Sequence, residues 1–435
     1  MARTKIVLIG AGSADFGKGQ IVDIFAAKEL RGRGVELVLV DINERALTTM
    51  LALAKRIANH IGSDLALSAE TDRREALRGA DYVLAAVARK RNELWEQDFR
   101  VPMAYGVRHI LGENGGPGAL FHALRSFELV VPICRDIETI CPKARFFNFT
   151  NPEARVLHAI SHLTRVDATG FCHGYFSAEA VVCRYLGKEP AKLKIVSAGM
   201  NHFYTILEVT DRDTGENLTR EVRARGLSDS SAPPLWKKMI EVFDMFSYPS
   251  DDHIGEYLAF GAEYSGGKWH YGRESRPIPL SGPEVIPHAK PPVEPYARGE
   301  LPIDDAYVKP SDELTVPIIC DIELGREMFR PAVNVQNTEG YIDNLPRHAI
   351  VEVPAMVDGG GIHPVHVGSI PEPMAAIIRT HFAIHDLLTE AYRTGTKKPL
   401  LQALLLDPCV PGLRAAEALL DEMLMLQRDY LPTFH

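Results

Sequence analysis

Two short runs in the middle of the 435-residue chain carry a thiol and an imidazole at the ends of strand-like segments: Phe171-Cys172-His173-Gly174 and Gly199-Met200-Asn201-His202-Phe203. A Cys thiolate and a neutral His suit zinc, manganese or iron, and two protein donors leave several positions of such an ion open to water or substrate. A site of that kind is catalytic in style. Read alone, a Cys after an apolar strand is a small buried hydrophobe and a lone His is a satisfied core residue. A third run, Tyr248-Pro249-Ser250-Asp251-Asp252-His253, gathers a phenol, two carboxylates and an imidazole after a helical stretch, where a solvated loop is the plainer account.

If the first two runs both close strands of one parallel sheet, they meet on the rim where open α/β sheets bind ligands. The start of the chain supplies such a sheet. Lys5 to Ile9 is an apolar run fit for a strand buried on both faces, and Gly10-Ala11-Gly12-Ser13 follows it directly. Gly10 permits a tight turn and Gly12 the close approach of a pyrophosphate, whose charge rests on the amides opening the next helix. Asp15 stands where the third glycine of the dinucleotide pattern belongs, so the motif gains its weight from context. That context is a second strand, Val35 to Asp41, ending in an acid where ribose hydroxyls bind; a carboxylate there repels a 2′-phosphate and favours NAD over NADP. Helix-period and strand-like segments then alternate to Phe149, which predicts an α/β fold with a Rossmann-type parallel sheet.

Asn151, in Thr150-Asn151-Pro152, lies either near the nicotinamide ribose and substrate or at the cap of a helix over 153–163. The loop Asn114-Gly-Gly-Pro-Gly118 either closes over a cofactor or opens the helix behind it. After His202 the pattern changes, which divides the chain into a nucleotide-binding domain over 1–200 and an α+β domain over 201–435. Proline-rich sequence from Pro277 to Pro310 suggests a lid or dimer arm, and the C-terminus is mostly amphipathic helix.

Composition narrows the partners. With 48 basic and 57 acidic residues, a net charge of −9 and no basic block, neither nucleic acid nor a membrane surface is indicated, and a small molecule is the expected partner. No apolar run approaches the roughly 20 residues needed to span a bilayer, and the opening residues lack a signal-peptide core, so a cytoplasmic location is expected. Six scattered cysteines without paired spacing read as reduced thiols.

Taken together, Gly10-x-Gly12-Ser13, Thr150-Asn151-Pro152, Phe171-Cys172-His173-Gly174, Gly199-x-Asn201-His202-Phe203, Asn344-Leu345-Pro346 and Ala403-Leu404-Leu405-x-Asp407-Pro408 resemble glycoside hydrolase family 4, the NAD- and metal-dependent glycosidases. The resemblance spans nearly the whole chain. It implies a fold akin to lactate and malate dehydrogenases, completed by an α+β C-terminal domain, in a homodimer or homotetramer. It also implies chemistry outside two-carboxylate glycoside hydrolysis: transient oxidation at C3 of the sugar by NAD⁺, loss of the acidified C2 proton, elimination of the aglycone, addition of water, and return of the hydride. Cys172 and His202 fall on the metal-ligand positions, the ion most often being Mn²⁺. Asn151, His173 and Asn201 fall on substrate positions, and His173 assists the leaving group. The base is Asp252 or Asp251, with Tyr248 as the fallback. Gly174 after Cys-His is like the branch that cleaves α-uronides, glucuronides or galacturonides, with unphosphorylated α-glucosidase or α-galactosidase activity as the near alternative. A 2-hydroxy acid dehydrogenase shares the N-terminal fold, but the His-Asp segment its chemistry needs is absent.

Overall fold

The computed structural model describes residues 4–14, 16–265, 268–269, 276–277 and 292–435. Asp15 and residues 278–291 of the proline-rich stretch expected to form a lid or arm lie outside them.

The first half alternates strands with helices: β1 (Lys5–Ile9), α1 (Phe16–Ala26), β2 (Glu36–Val40), α2 (Glu44–Ile61), β3 (Ala66–Glu70), α3 (Arg73–Leu77), β4 (Tyr82–Ala85), α4 (Arg91–Ala104), α5 (Gly116–Ile140), β5 (Arg145–Asn148), α6 (Glu153–Leu163), β6 (Ala168–Gly170) and α7 (Gly174–Leu186). The strands lie in the order β3-β2-β1-β4-β5-β6, all parallel, which is the doubly wound dinucleotide-binding arrangement. The sequence dictates this directly: Ile6, Val7 and Leu8 are fully buried on both faces, as a parallel strand under helices must be.

The second half continues with β7 (Leu193–Met200), β8 (Phe203–Asp211), α8 (Thr219–Ser228), α9 (Pro234–Phe243), α10 (Asp251–Gly255), α11 (Gly261–Ser265), the two-stranded pair β9 (Lys268–Trp269) and β10 (Arg276–Pro277), α12 (Glu294–Arg298) and α13 (Thr315–Leu324). It closes with β11 (Met328–Gln336), β12 (Ile350–Asp358), β13 (Gly361–Pro364), α14 (Glu372–Thr394), α15 (Lys398–Leu406) and α16 (Leu413–Leu426). Its strands extend the same sheet past β6 as β11-β12-β7-β8, every new pairing antiparallel, with β13 also on β12.

The expected common rim for Cys172 and His202 is therefore corrected. β6 belongs to the parallel sheet, whereas β7 is an antiparallel strand joined to β8 by two residues, a connection that parallel pairing does not permit. The two strands are linked instead through one row of residues: Gly170 opposite Asn334, Asn334 opposite Glu352, and Glu352 opposite Gly199.

One sheet thus crosses the boundary expected at residue 200. The halves also share apolar cores: Leu388, Leu400 and Met423 of the C-terminal helices sit in one buried cluster with Leu124, Phe127 and Val131 of α5.

Candidate active site

At the open end of β1, Gly10 has φ +87° and a Cβ there would stand 2.1 Å from the carbonyl oxygen of Ala86, so only glycine fits the turn. Gly12 donates its N–H to Asp41 Oδ2 at 2.9 Å, while Asp41 Oδ1 accepts the N–H of Asn43 at 2.8 Å. The carboxylate is thereby fixed beside the glycine turn, and Ser13 closes the turn with its N–H on the Gly10 carbonyl at 3.2 Å. A cleft of about 370 Å³ opens here, bordered by Gly12, Ala14, Asn43 and Arg45 on one side and Pro292 and Glu294 on the other. The third glycine's usual duty, letting the helix approach closely, falls to Gly17, whose added Cβ would meet the carbonyl of Ala11 in the glycine turn at 2.4 Å. The spacing rule looked two residues too early.

Cys172 and His202 do meet: Sγ and Nε2 are 3.1 Å apart. His202 reaches this point from a two-residue loop in which it carries φ +64°, a left-handed conformation that glycine or asparagine adopts more readily and that clusters at functional sites. Burial, followed by the nearby His253 and His173, holds the His202 imidazole well below its ordinary pKa, so its lone pair is free at neutral pH. Burial and then the charge of Glu352 push the Cys172 thiol well up.

The pair fits a divalent ion. Sulfur and nitrogen sharing one ion at about 2.3 and 2.0 Å stand roughly 3 to 3.5 Å apart, and a cation would offset the burial of the thiolate. Gly174 marks the centre of the cluster, since a Cβ there would lie 3.6 Å from Cys172 Sγ and Tyr248 Cδ2 and 3.7 Å from His202 Cδ2. Larger side chains at 174 would grow into this space.

Tyr248 stacks on the His202 ring, centroids 5.7 Å apart, and His253 meets both rings edge-on. Asp252 Oδ1 accepts from His253 Nδ1 at 2.7 Å and from the Ser250 hydroxyl, and its charge is felt at His202 and Tyr248. The run 248–253 is therefore part of the site rather than a solvated loop. Asp251 is engaged differently. Its two oxygens accept the N–H groups of Trp236 at 2.8 Å and Leu235 at 3.1 Å, satisfying the first turn of α9. Asp251, expected as a candidate base, thus has both carboxylate oxygens committed to this cap.

His173 stands at the mouth, largely exposed, with Nδ1 3.3 Å from Glu313 Oε1. Asn201 is buried and donates to Glu352 Oε2 at 3.3 Å. Asn151 does not cap α6; its Nδ2 donates to Glu113 Oε1 at 3.2 Å, an oxygen that also takes a hydrogen bond from Arg91.

Several residues of this neighbourhood escaped sequence reasoning. Burial pushes Glu113 up, but the Arg91 guanidinium, with His122 and His253, outweighs it and keeps the carboxylate below its ordinary range. Glu256 accepts the N–H groups of Glu113 and Asn114, which pins the glycine-rich loop instead of leaving it as a lid. Glu352 was visible only as a lone charge in the apolar run Ile350-Val-Glu-Val353. Burial raises it to about 7, against the pull of Asn201 and Asn334.

Fold and site together define a dinucleotide-binding α/β protein whose antiparallel extension brings a thiol and an imidazole to one point. More narrowly, the chain belongs to the family 4 glycosyl hydrolases: the family 4 glycosyl hydrolase model matches residues 5–188, and that of the family 4 C-terminal domain matches residues 197–410. It is 33% identical to an α-glucosidase of Erwinia rhapontici over 98% of this chain and 99% of that one. It is 29% identical to an α-galactosidase of Rhizobium meliloti (100% and 90% covered), and 25% identical to an α-galacturonidase of Lachnoclostridium phytofermentans (98% and 97%). A 6-phospho-α-glucosidase from gut microorganisms, solved with NAD and Mn²⁺, shares the fold with a TM-score of 0.80 at 21% identity, all of both chains being covered.

Proposed function

We propose that this chain is an NAD- and divalent-metal-dependent α-glycosidase acting on an unphosphorylated α-hexoside, a glucoside or galactoside. The meeting of Cys172 and His202 at 3.1 Å carries the reading, because a thiol and a neutral imidazole at that separation suit a catalytic ion. Family membership, and relatives named α-glucosidase and α-galactosidase, support the substrate class.

When bound, nicotinamide and the ion, most simply Mn²⁺, supply reversible oxidation at the sugar C3 and polarisation of its oxygen, which acidifies the C2 hydrogen. The chain's own residues do the rest. Gly10, Gly12 and Ser13 bring the backbone against the pyrophosphate, and Asp41 takes the ribose hydroxyls. Cys172 and His202 hold the ion. Asp252, oriented by His253 and Ser250, receives the C2 proton, with Tyr248 the nearest alternative acceptor. His173 at the mouth protonates the departing glycosidic oxygen. Asn151 and Asn201 hold sugar hydroxyls and fix the ring. Assembly as a homodimer or homotetramer, cytoplasmic location and the division near residue 200 belong to the same reading.

A second reading, cleavage of an α-uronide, is favoured by the glycine at 174 after Cys-His and by the α-galacturonidase relative. It calls for a cation to meet the sugar carboxylate, and the Arg91 guanidinium is already engaged by Glu113.

Release of 4-nitrophenol from nitrophenyl α-glucoside, α-galactoside and α-uronides, with NAD⁺ and Mn²⁺ each present or withheld, tests the proposal. Cleavage of an α-hexoside that needs both, without lasting NADH, is expected. Preferential uronide cleavage would establish the second reading, and steady NADH without nitrophenol would overturn both in favour of a dehydrogenase.

A further inference from the structure

A second group of metal-ligating side chains lies away from the Cys172–His202 pair, at the far end of α6. His158 and His162 are one helical turn apart, so both project from the same face. Their rings stack with centroids 4.0 Å apart. Asp386 of α14 faces them, and one donor atom from each of the three residues lies within 4.8 Å of the others. His158 is fully buried, yet neither of its ring nitrogens makes a hydrogen bond among the described residues. Its nearest charged neighbour is Asp386, whose Oδ1 stands 3.0 Å from Nε2.

The surrounding contacts are those that prepare ligands. His162 Nδ1 donates to the His158 carbonyl at 2.8 Å, which fixes the tautomer that leaves Nε2 unprotonated. His348, from the segment before β12, places Nε2 3.0 Å from the other oxygen of Asp386 and so holds that carboxylate from outside. Two imidazoles and a carboxylate form a nitrogen–oxygen donor set of the kind zinc takes, with the exposed His162 giving access from solvent.

We propose that His158, His162 and Asp386 form a second divalent-metal site, of zinc type, with His348 orienting Asp386. The ion would tie α6 to α14 and to the entry of β12. α6 begins at Glu153, which lies against Gly170 two residues before Cys172, and β12 carries Glu352, which takes the Asn201 amide beside His202, so occupancy would brace these supports without entering the chemistry.

The test is a count of tight zinc equivalents in metal-free protein, by elemental analysis after competition with a weak chelator. Two per chain are expected in the wild type. One is expected in His162→Ala, in Asp386→Asn and in a Cys172→Ser/His202→Ala double variant, and none when His162→Ala is added to that double variant. His348→Gln should weaken the second equivalent about 10- to 100-fold, as loss of a ligand's outer partner does. His162 is exposed, so its replacement tests the site without disturbing the core. If His162→Ala and Asp386→Asn leave the wild-type count unchanged, or if the Cys172/His202 double variant binds no zinc, the residues are a metal-free network of histidines around one carboxylate and the proposal fails. The readout is independent of glycosidase activity.

Discussion

Asp251 and Asp252 are neighbours in the chain with unlike environments, and their separation is the sharpest residue-scale consequence of the structure. Asp252→Asn keeps the shape but cannot accept a proton, and removal of a positioned base costs about 10²- to 10⁴-fold in rate. Asp251→Asn should instead weaken the start of α9, because the amide NH2 replaces one of the two accepting oxygens; one lost hydrogen bond lowers stability by about 1 kcal/mol, with the rate per folded molecule nearly intact. Steady-state kinetics beside denaturant unfolding of the two variants checks this; equal rate losses would remove the distinction. At the cofactor end, Asp41→Ala removes the charge facing a ribose phosphate while Arg45 still borders the cleft. The ratio of NAD to NADP affinity should then fall about tenfold or more, equivalent to roughly 1.4 kcal/mol, and a ratio unmoved in fluorescence titration would place the ribose elsewhere. Residue types alone left Cys172 and His202 with a bland account each, a buried thiol and a core imidazole; the ordered set of family motifs around them is what singled the pair out. Residue types could not advertise Glu113 or Glu352, whose meaning comes from burial and from partners 38 and 151 residues away.

At the scale of elements, the parallel half was legible because apolar five-residue runs followed by glycine turns and helical periods have few other outcomes. Strand direction was not. β7 read as one more buried strand, and only the two-residue link to β8 marks it as antiparallel. The third glycine read as missing for a related reason: its place was taken by Asp15, whereas packing uses the glycine that lies against the Ala11 carbonyl. Gly17→Val should therefore push α1 from the glycine turn, costing about 1–3 kcal/mol as overpacking does, and weaken NAD binding together with stability. A variant of unchanged thermal stability and NAD affinity would show that the helix tolerates the side chain.

At the scale of the molecule, what the sequence concealed was sharing: helices α14 to α16 complete a core begun by α5, and β11 and β12 bridge β6 to β7 through Asn334 and Glu352. That bridge has a measurable cost. Glu352 rises to about 7 in the fold, chiefly through burial, against about 4.3 in an unfolded chain. The native state binds this proton more tightly, so the stability it contributes is present below about pH 4 and is lost as the pH climbs to about 7. Metal-free protein should be less stable at pH 7.5 than at pH 4.5 through this group by about 3 kcal/mol at most. Glu352→Gln should shrink the difference in denaturant unfolding, and an undiminished difference would mean that other groups set the slope.

Whether the C2 proton leaves and returns during hydrolysis is read from the cleaved nitrophenyl α-hexoside when the reaction is run in D₂O with NAD⁺ and Mn²⁺. Proton removal by Asp252 predicts product sugar carrying solvent deuterium at C2. Product fully protonated at C2, formed at an ordinary rate, would mean direct displacement at C1 and would contradict the account.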